Sequence, residues 1–186
     1  MSDVTQPPES DASEAAAQPS RPLPSSEPIA AVVSQFENAS FDEKKYASSD
    51  VRYTAVVIPV DDWVAFAEAA KAGGFDTFID IAGVDHFTEA PRYEVALNLL
   101  SLTTRDRIIV SVRVPYDDAV VPSLTDVFAG ANFYEREAFD LLGIDFPGHP
   151  DLTRILLPDD WEGHPLRKDY DIGAVPVEFK VGSEDL

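Results

Sequence analysis

Two short runs of this chain carry the residue types that chemistry uses most. Gly148-His149-Pro150 recurs as Gly163-His164-Pro165, with Asp151, Asp159, Asp160 and Glu162 close by. Histidines among carboxylates are the donor set of metal-assisted hydrolysis, so a stand-alone metal hydrolase using His149 and His164 is one reading. Against it, each His is clamped between Gly and Pro on non-helical backbone, without the shared face of a helical His-x-x-x-His pair. A His in such a loop more often donates to a backbone carbonyl. Glu135 and Glu137 are two apart on a predicted helix, so they point to different faces and make a poor acid/base pair. Arg136 and Asp140, four apart, have the spacing of an ordinary ion pair. No Gly-x-Gly-x-x-Gly or Gly-x-x-x-x-Gly-Lys loop is present to cradle a phosphate. The chain has no cysteine, which removes disulfides, Cys-ligated zinc, iron–sulfur clusters and covalently attached haem. The expectation is a chain with no catalytic residue, metal or bound cofactor of its own.

The elements that would hold these residues follow from periodicity. Residues 1–28, rich in Ser, Ala, Glu and Pro, bury too little apolar surface to repay ordering and are expected to be a disordered acidic tail. Pro28 opens a helical pattern with Ile29, Val32, Val33 and Phe36 on one face. A strand follows over residues 53–59. Asp61 is placed to cap a helix carrying Trp63, Phe66, Ala67 and Ala70, which Gly73-Gly74 ends. Residues 75–87 read as one or two buried strands. Tyr93, Val95, Leu97 and Leu99 alternate with polar or small residues, as do Ile108, Val110, Val112 and Val114, and the Thr103–Asp106 turn makes them a hairpin. The last helix spans residues 133–142, with Asn132 as its cap, Glu135 completing a capping box and Gly143 as its stop. The fold class is α+β, with helices packed on one face of a mostly antiparallel sheet over residues 29–142.

Composition limits the partners. The 34 acidic against 14 basic residues give a net charge of −20, a surface that repels nucleic-acid phosphates and anionic lipid. Only five of the basic residues are lysines. Acid excess of this kind suits a salt-rich cytoplasm, or else a chain whose neighbours supply the balancing charge. No apolar run approaches the ~20 residues of a membrane span, and the N-terminus lacks a secretory pattern. The chain is expected to stay in the cytoplasm and to reach a membrane only through partners.

From Gly143 onward the pattern changes. Ile144, Phe146, Leu152, Ile155, Leu156, Leu157, Trp161, Leu166, Tyr170, Ile172, Val175, Val177 and Phe179 are too many apolar groups for a solvated tail. Pro147, Pro150, Pro158, Pro165 and Pro176 forbid a long helix and break strands. Such a segment either wraps its own domain or buries its side chains on another protein. From the residues alone the two stand equally for this extended, irregular C-terminal arm, residues 143–186; docking on a partner is the reading taken once the resemblance that follows is added.

These residues also carry a resemblance. Tyr134-Glu135-Arg136-Glu137, Asp140-Leu141-Leu142-Gly143-Ile144, Gly148-His149-Pro150-Asp151-Leu152, Arg154-Ile155-Leu156 and Asp159-Asp160-Trp161-Glu162-Gly163-His164-Pro165-Leu166-Arg167-Lys168-Asp169-Tyr170 are similar to the C subunit of the bacterial proton-pumping NADH:quinone oxidoreductase, respiratory complex I. Phe78-Ile79-Asp80, Val84-Asp85, Tyr93-Glu94-Val95 and Val121-Pro122-Ser123 extend the similarity, which runs from about residue 29 to 180 in the unfused form of that family. Thr153 stands where the family usually has arginine, and Phe133 where it usually has tryptophan.

The resemblance implies a cofactor-free peripheral-arm subunit on the cytoplasmic side of the cell membrane. It would lie against the quinone-site subunit and the subunit that holds the last iron–sulfur cluster. The whole complex, a translocase passing electrons from NADH to quinone, would use FMN, iron–sulfur clusters and quinone. The partner-binding residues it implies are Glu135, Arg136, Glu137, Asp140, His149, Asp151, Arg154, Trp161, Glu162, His164, Arg167, Lys168 and Asp169. Nothing in the chain bears on the electron donor, so a sister complex, such as a membrane-bound hydrogenase or a ferredoxin-linked dehydrogenase, also stands. A soluble adaptor binding peptides on a sheet edge is a third alternative.

Overall fold

The computed structural model describes residues 22–171. Alternating apolar residues build its sheet, and helical spacing builds what covers it. The elements run α1 (Glu27–Val33), β1 (Ser40–Lys45), β2 (Arg52–Val57), a 3₁₀ turn (Val60–Asp62), α2 (Trp63–Ala72), β3 (Thr77–Asp85), β4 (Tyr93–Leu100), β5 (Arg107–Val114) and α3 (Ala131–Leu142). The five strands form one sheet in the order β1-β2-β5-β4-β3. Only the β2–β5 pair is parallel. The α+β class expected from the sequence is therefore the observed one.

Directly opposed residues share a face of the sheet. Tyr93, Val95 and Leu97 of β4 oppose Val114, Val112 and Val110 of β5 on one side, and Asp85, Gly83 and Ile81 of β3 on the other. This face is buried, and Ile29, Val32 and Val33 of α1 and Trp63, Phe66, Ala67 and Ala70 of α2 belong to the same apolar cluster. Helix α3 lies close against β3. A Cβ on Gly83 would come within 2.5 Å of Leu142 Cδ1, so the strand needs glycine where the helix crosses it.

Three details differ from the sequence expectation. Strand β1 was not anticipated; five of its six residues are exposed, so burial leaves no apolar alternation there to read. Residues 75–87 hold one strand, β3, most of which is half-buried or exposed and not buried as expected, with a register irregularity between Phe78 and Asp80. Helix α2 is preceded by the 3₁₀ turn, and neither it nor α3 has a side-chain cap. Asn132 lies inside α3, whose N-cap position is Gly130.

Of residues 1–28, those from 22 onward are described. Pro24 is buried, the Ser25 amide donates to Glu43 Oε1 at 2.6 Å, and the Ser26 hydroxyl donates to Asp106 at 2.9 Å. The disorder expected for the remainder, residues 1–21, and the apolar Ile172, Val175, Val177 and Phe179 lie outside the described residues. Among the described residues no helix is long and apolar enough to cross a membrane.

Candidate functional site

Helix α3 supplies two opposed surfaces because its residues repeat every 3.6 positions. Ala131, Glu135, Ala138 and Leu142 are buried, and Ala138 and Leu142 face the sheet at Gly83. Asp140 lies about half a turn from Ala138 and Leu142 on the helix, yet it too is fully buried. What covers it is the C-terminal segment. The chain leaves α3 through Gly143, in the left-handed region at φ +73°, and pairs briefly with residues 119–123. The Asp145 amide donates to Ala119 O at 2.8 Å, the Val121 amide to Asp145 O at 2.9 Å, and the Ser123 amide to Pro147 O at 2.9 Å. Ile144 and Phe146 enter the core. Residues 148–171 then return across the outer side of α3 without regular structure.

Asp140 is the hub of that return. Its Oδ1 accepts from Arg154 Nη1 at 2.7 Å, and its Oδ2 accepts the amides of Ile155, Leu156 and Leu157 at 3.1, 2.8 and 2.9 Å. Burial alone would raise this carboxyl. The three amides and Arg154 outweigh it and hold the pKa at about 2. Arg154 Nη2 also donates to the carbonyls of Trp161 and Gly163 at 3.0 and 3.4 Å. Arg136 does not pair with Asp140, contrary to the spacing argument. Its guanidinium donates to Thr153 O, Thr153 Oγ1 and Arg154 O at 3.0, 3.1 and 2.9 Å, because the segment brings carbonyls within reach of it.

Glu135 does not complete a capping box either. Its carboxylate crosses to the loop before α3, accepting the Ser123 hydroxyl at 2.6 Å and the Leu124 amide at 2.7 Å. Burial pushes its pKa up, and those two donors pull against the shift.

Both histidines tie loop to helix. His149 Nε2 donates to Asn132 O at 3.1 Å, while its Nδ1 accepts the Asp151 amide at 3.0 Å. Both ring nitrogens are thereby engaged. His164 Nδ1 donates to Asp140 O at 2.9 Å, and burial lowers its pKa against that bond. Among the described residues no three His, Asp or Glu side chains are gathered as a metal site.

A second hub ends the described segment. Asp85, at the end of β3, accepts from Arg92 Nε and Nη2 at 2.8 and 2.7 Å, from the Phe87 amide at 2.8 Å and from the Lys168 amide at 2.8 Å. Arg92 reaches on to Asp169 at 2.9 and 2.7 Å. The Arg92 guanidinium holds the Asp85 carboxyl far below the usual range, against burial and with help from the two amides. Arg167 donates to Leu142 O at 2.7 Å and sits over the rings of Tyr93 and Tyr116.

Eight of the thirteen residues singled out in the sequence are therefore joined within the chain: Glu135, Arg136, Asp140, His149, Arg154, His164, Arg167 and Asp169. Five make no side-chain hydrogen bond or ion pair among the described residues: Glu137, Asp151, Trp161, Glu162 and Lys168. The sequence reading missed Asp85, Arg92 and Ser123 as members of the site. The opposite charges of Asp85 and Arg92, flanking the short link from β3 to β4, were the available signal.

Gly143 is where this arrangement is tightest. A Cβ there would collide with Arg167 and His164, on a backbone that side chains disfavour. Gly143→Ala is expected to lose about 2 kcal/mol or more, of which ~1–2 is backbone strain. Its thermal midpoint should fall by roughly 4 °C or more. A midpoint within ~1 °C of wild type would show that the segment is not packed there.

Known proteins resemble this chain in sequence and in fold. The family described as "Respiratory-chain NADH dehydrogenase, 30 Kd subunit" matches residues 56–175. The C subunit of the NADH-quinone oxidoreductase of Roseiflexus sp. (strain RS-1) is 51% identical over 112 residues, 60% of this chain and 64% of that protein. NADH-quinone oxidoreductase subunit 5 of Thermus thermophilus is 43% identical over 136 residues, 68% and 66% of the two chains. Matches to several relatives thus span less than two thirds of their length. A solved trypsin-resistant fragment of Nqo5 superposes with a TM-score of 0.54 at 35% identity, covering 60% of this chain and 89% of the fragment. A chain of the archaeal membrane-bound sulfane sulfur reductase shares the fold at a TM-score of 0.66 and 22% identity, over 83% of this chain and 94% of that one. This chain belongs to the family of the respiratory-chain NADH dehydrogenase 30 kDa subunit.

Proposed function

We propose that the chain is a cofactor-free scaffold subunit in the peripheral arm of a proton-translocating NADH:quinone oxidoreductase, on the cytoplasmic side of the cell membrane. Its neighbours are the quinone-site subunit and the subunit holding the last iron–sulfur cluster. FMN, the clusters and quinone are carried by other subunits; this chain has no cysteine to ligate a cluster.

The observation that carries the reading is the irregular segment pinned on α3. It is held by buried polar hubs, yet it presents large apolar groups to solvent. Leu156 is 61% exposed, Leu166 54% and, on the helix itself, Phe133 62%. Irregular backbone held in one conformation with apolar tips outward is suited to docking, because little ordering remains to be done on association. The thirteen residues divide the work. The eight that bond within the chain shape the surface. Glu137, Asp151, Trp161, Glu162 and Lys168 face the partners, with Trp161 as an aromatic anchor.

The fold is shared with a respiratory complex of another kind, so the companion subunits decide the electron donor. Native purification of the tagged chain tests this. It should bring down flavin- and cluster-bearing subunits together with NADH:quinone reductase activity. A complex that oxidises hydrogen or reduced ferredoxin, and not NADH, would assign the chain to a sister assembly. A chain that purifies alone would sink the scaffold reading.

A further inference from the structure

The two edges of the sheet are built differently. At one edge, β1 carries Asp42, Glu43, Lys44 and Lys45 in six residues, the charged edge by which soluble proteins discourage a further strand. At the other edge, β3 has no Lys, Arg or Pro, and its regular portion, residues 80–85, runs alongside β4. Because the His86 amide donates to Arg92 O, the antiparallel alternation makes Val84/Glu94 and Ala82/Ala96 the hydrogen-bonded pairs. The peptide groups of Ile81 and Gly83 then point away from β4, and no backbone group among the described residues takes them up.

Beside this edge runs a groove of about 210 Å³ between β3 and α3. It is smaller than the ~300–1,000 Å³ of small-molecule sites and suits protruding side chains instead. Ala138, Leu141 and Leu166 give it apolar walls, and Asp80 and Glu137 line it from the strand and the helix. Neither carboxylate has an ion-pair partner among the described residues.

We propose that the free edge of β3 takes an extended strand of a partner subunit, whose side chains alternate into the β3–α3 groove and include a Lys or Arg facing Glu137. The added backbone satisfies the outward amide and carbonyl groups of Ile81 and Gly83. Apolar side chains two residues apart fill the groove beside Ala138, Leu141 and Leu166. The basic side chain meets Glu137, complementary to a chain that carries a net −20. This rests on the reading of the chain as a complex subunit and adds where, and by what chemistry, one neighbour attaches.

Hydrogen–deuterium exchange on the full-length chain, alone and within the natively purified complex, tests it. In the isolated chain the peptide covering residues 78–86 should show fast amides at Ile81 and Gly83. In the complex these should slow by about 100-fold or more. Glu137→Lys should leave the melt of the isolated chain unchanged and raise the salt sensitivity of its retention in the complex. The retained fraction should fall about tenfold, and Glu137→Gln should have a smaller effect. If the complex contains the chain and residues 78–86 exchange as they do in isolation, the strand proposal fails while the subunit reading stands. Protection already present in the isolated chain would mean that the edge is filled by this chain or by a second copy, and would overturn the proposal. A chain that never enters the complex overturns both.

Discussion

Asp140→Ala should release the segment that follows α3 while leaving the sheet intact. The substitution leaves the Arg154 guanidinium and three amides without their shared acceptor beneath the segment. Removing one partner of a buried charged pair costs on the order of 3–5 kcal/mol. The chain can avoid that cost by lifting residues 154–157 into water, so the loss appears as local opening more than as global unfolding. Trypsin cleavage after Arg154 is the direct readout. It should accelerate at least about 10²-fold, the ratio that roughly 3 kcal/mol sets on an open population.

Acid should mimic the substitution. The folded pKa of Asp140 is depressed to about 2, so its contribution is fully present above the unfolded value near ~4. It is lost as the pH falls through about 2. Asp85 shifts in the same direction, and its anchor on the Lys168 amide weakens in acid too. Cleavage of Asp140→Ala at the wild-type rate, or a wild-type segment equally open at about pH 7 and about pH 2, would show that the hub does not hold it.

Two truncations should behave oppositely. A chain ended after Leu142 loses Ile144 and Phe146, both buried in the core. At ~1.5–3 kcal/mol each this removes roughly 3–6 kcal/mol from a total that is typically about 5–15 kcal/mol. That chain is expected to be largely unfolded or to melt tens of degrees lower. A chain ended after His149 keeps both side chains, and it leaves Asp140 on an uncovered helix face where water replaces the lost donors. It should melt cooperatively within about 10 °C of wild type and yet fail to enter the complex. Calorimetry and native-gel assembly of the two separate the roles. If both truncations fold, the core ends before Ile144. If the longer one assembles at full activity, the segment after His149 does not dock.

What could be read in advance follows from how local each signal is. Helix α2, the β4–β5 hairpin and the body of α3 carry periodic apolar residues against one core, and period is a local property. Strand β1 has no such mark, because as an edge strand with five exposed residues it needs no apolar face. Part of the polar network was legible in its residues and none of it in its wiring: eight of the thirteen singled-out residues bond within the chain, while Asp85, Arg92 and Ser123 were unmarked. Asn132 and Glu135 have capping-box spacing, and Arg136 and Asp140 have ion-pair spacing. In each case a partner far along the chain takes over: Ser123 and Leu124 for Glu135, Thr153 for Arg136, Arg154 for Asp140. Spacing along a helix reports which neighbours are available. It does not report that a loop before the helix or an irregular segment returning over it will bring better-placed partners.

The one parallel pairing in the sheet bears on the order in which the chain can fold. Strands β3, β4 and β5 follow one another as antiparallel neighbours, and only six residues, 101–106, separate β4 from β5. Strand β2 must wait for β5, its parallel partner, across 49 intervening residues, 58–106. Closing the longer loop costs roughly 2 kcal/mol more than closing the shorter one. On a ribosome the difference is absolute, since β2 leaves the tunnel with Val56 and Ile58 uncovered and no strand but β1 to pair with. The meander is therefore the natural nucleus, and the stretch through β2 is one that chaperones would have reason to hold until β5 emerges.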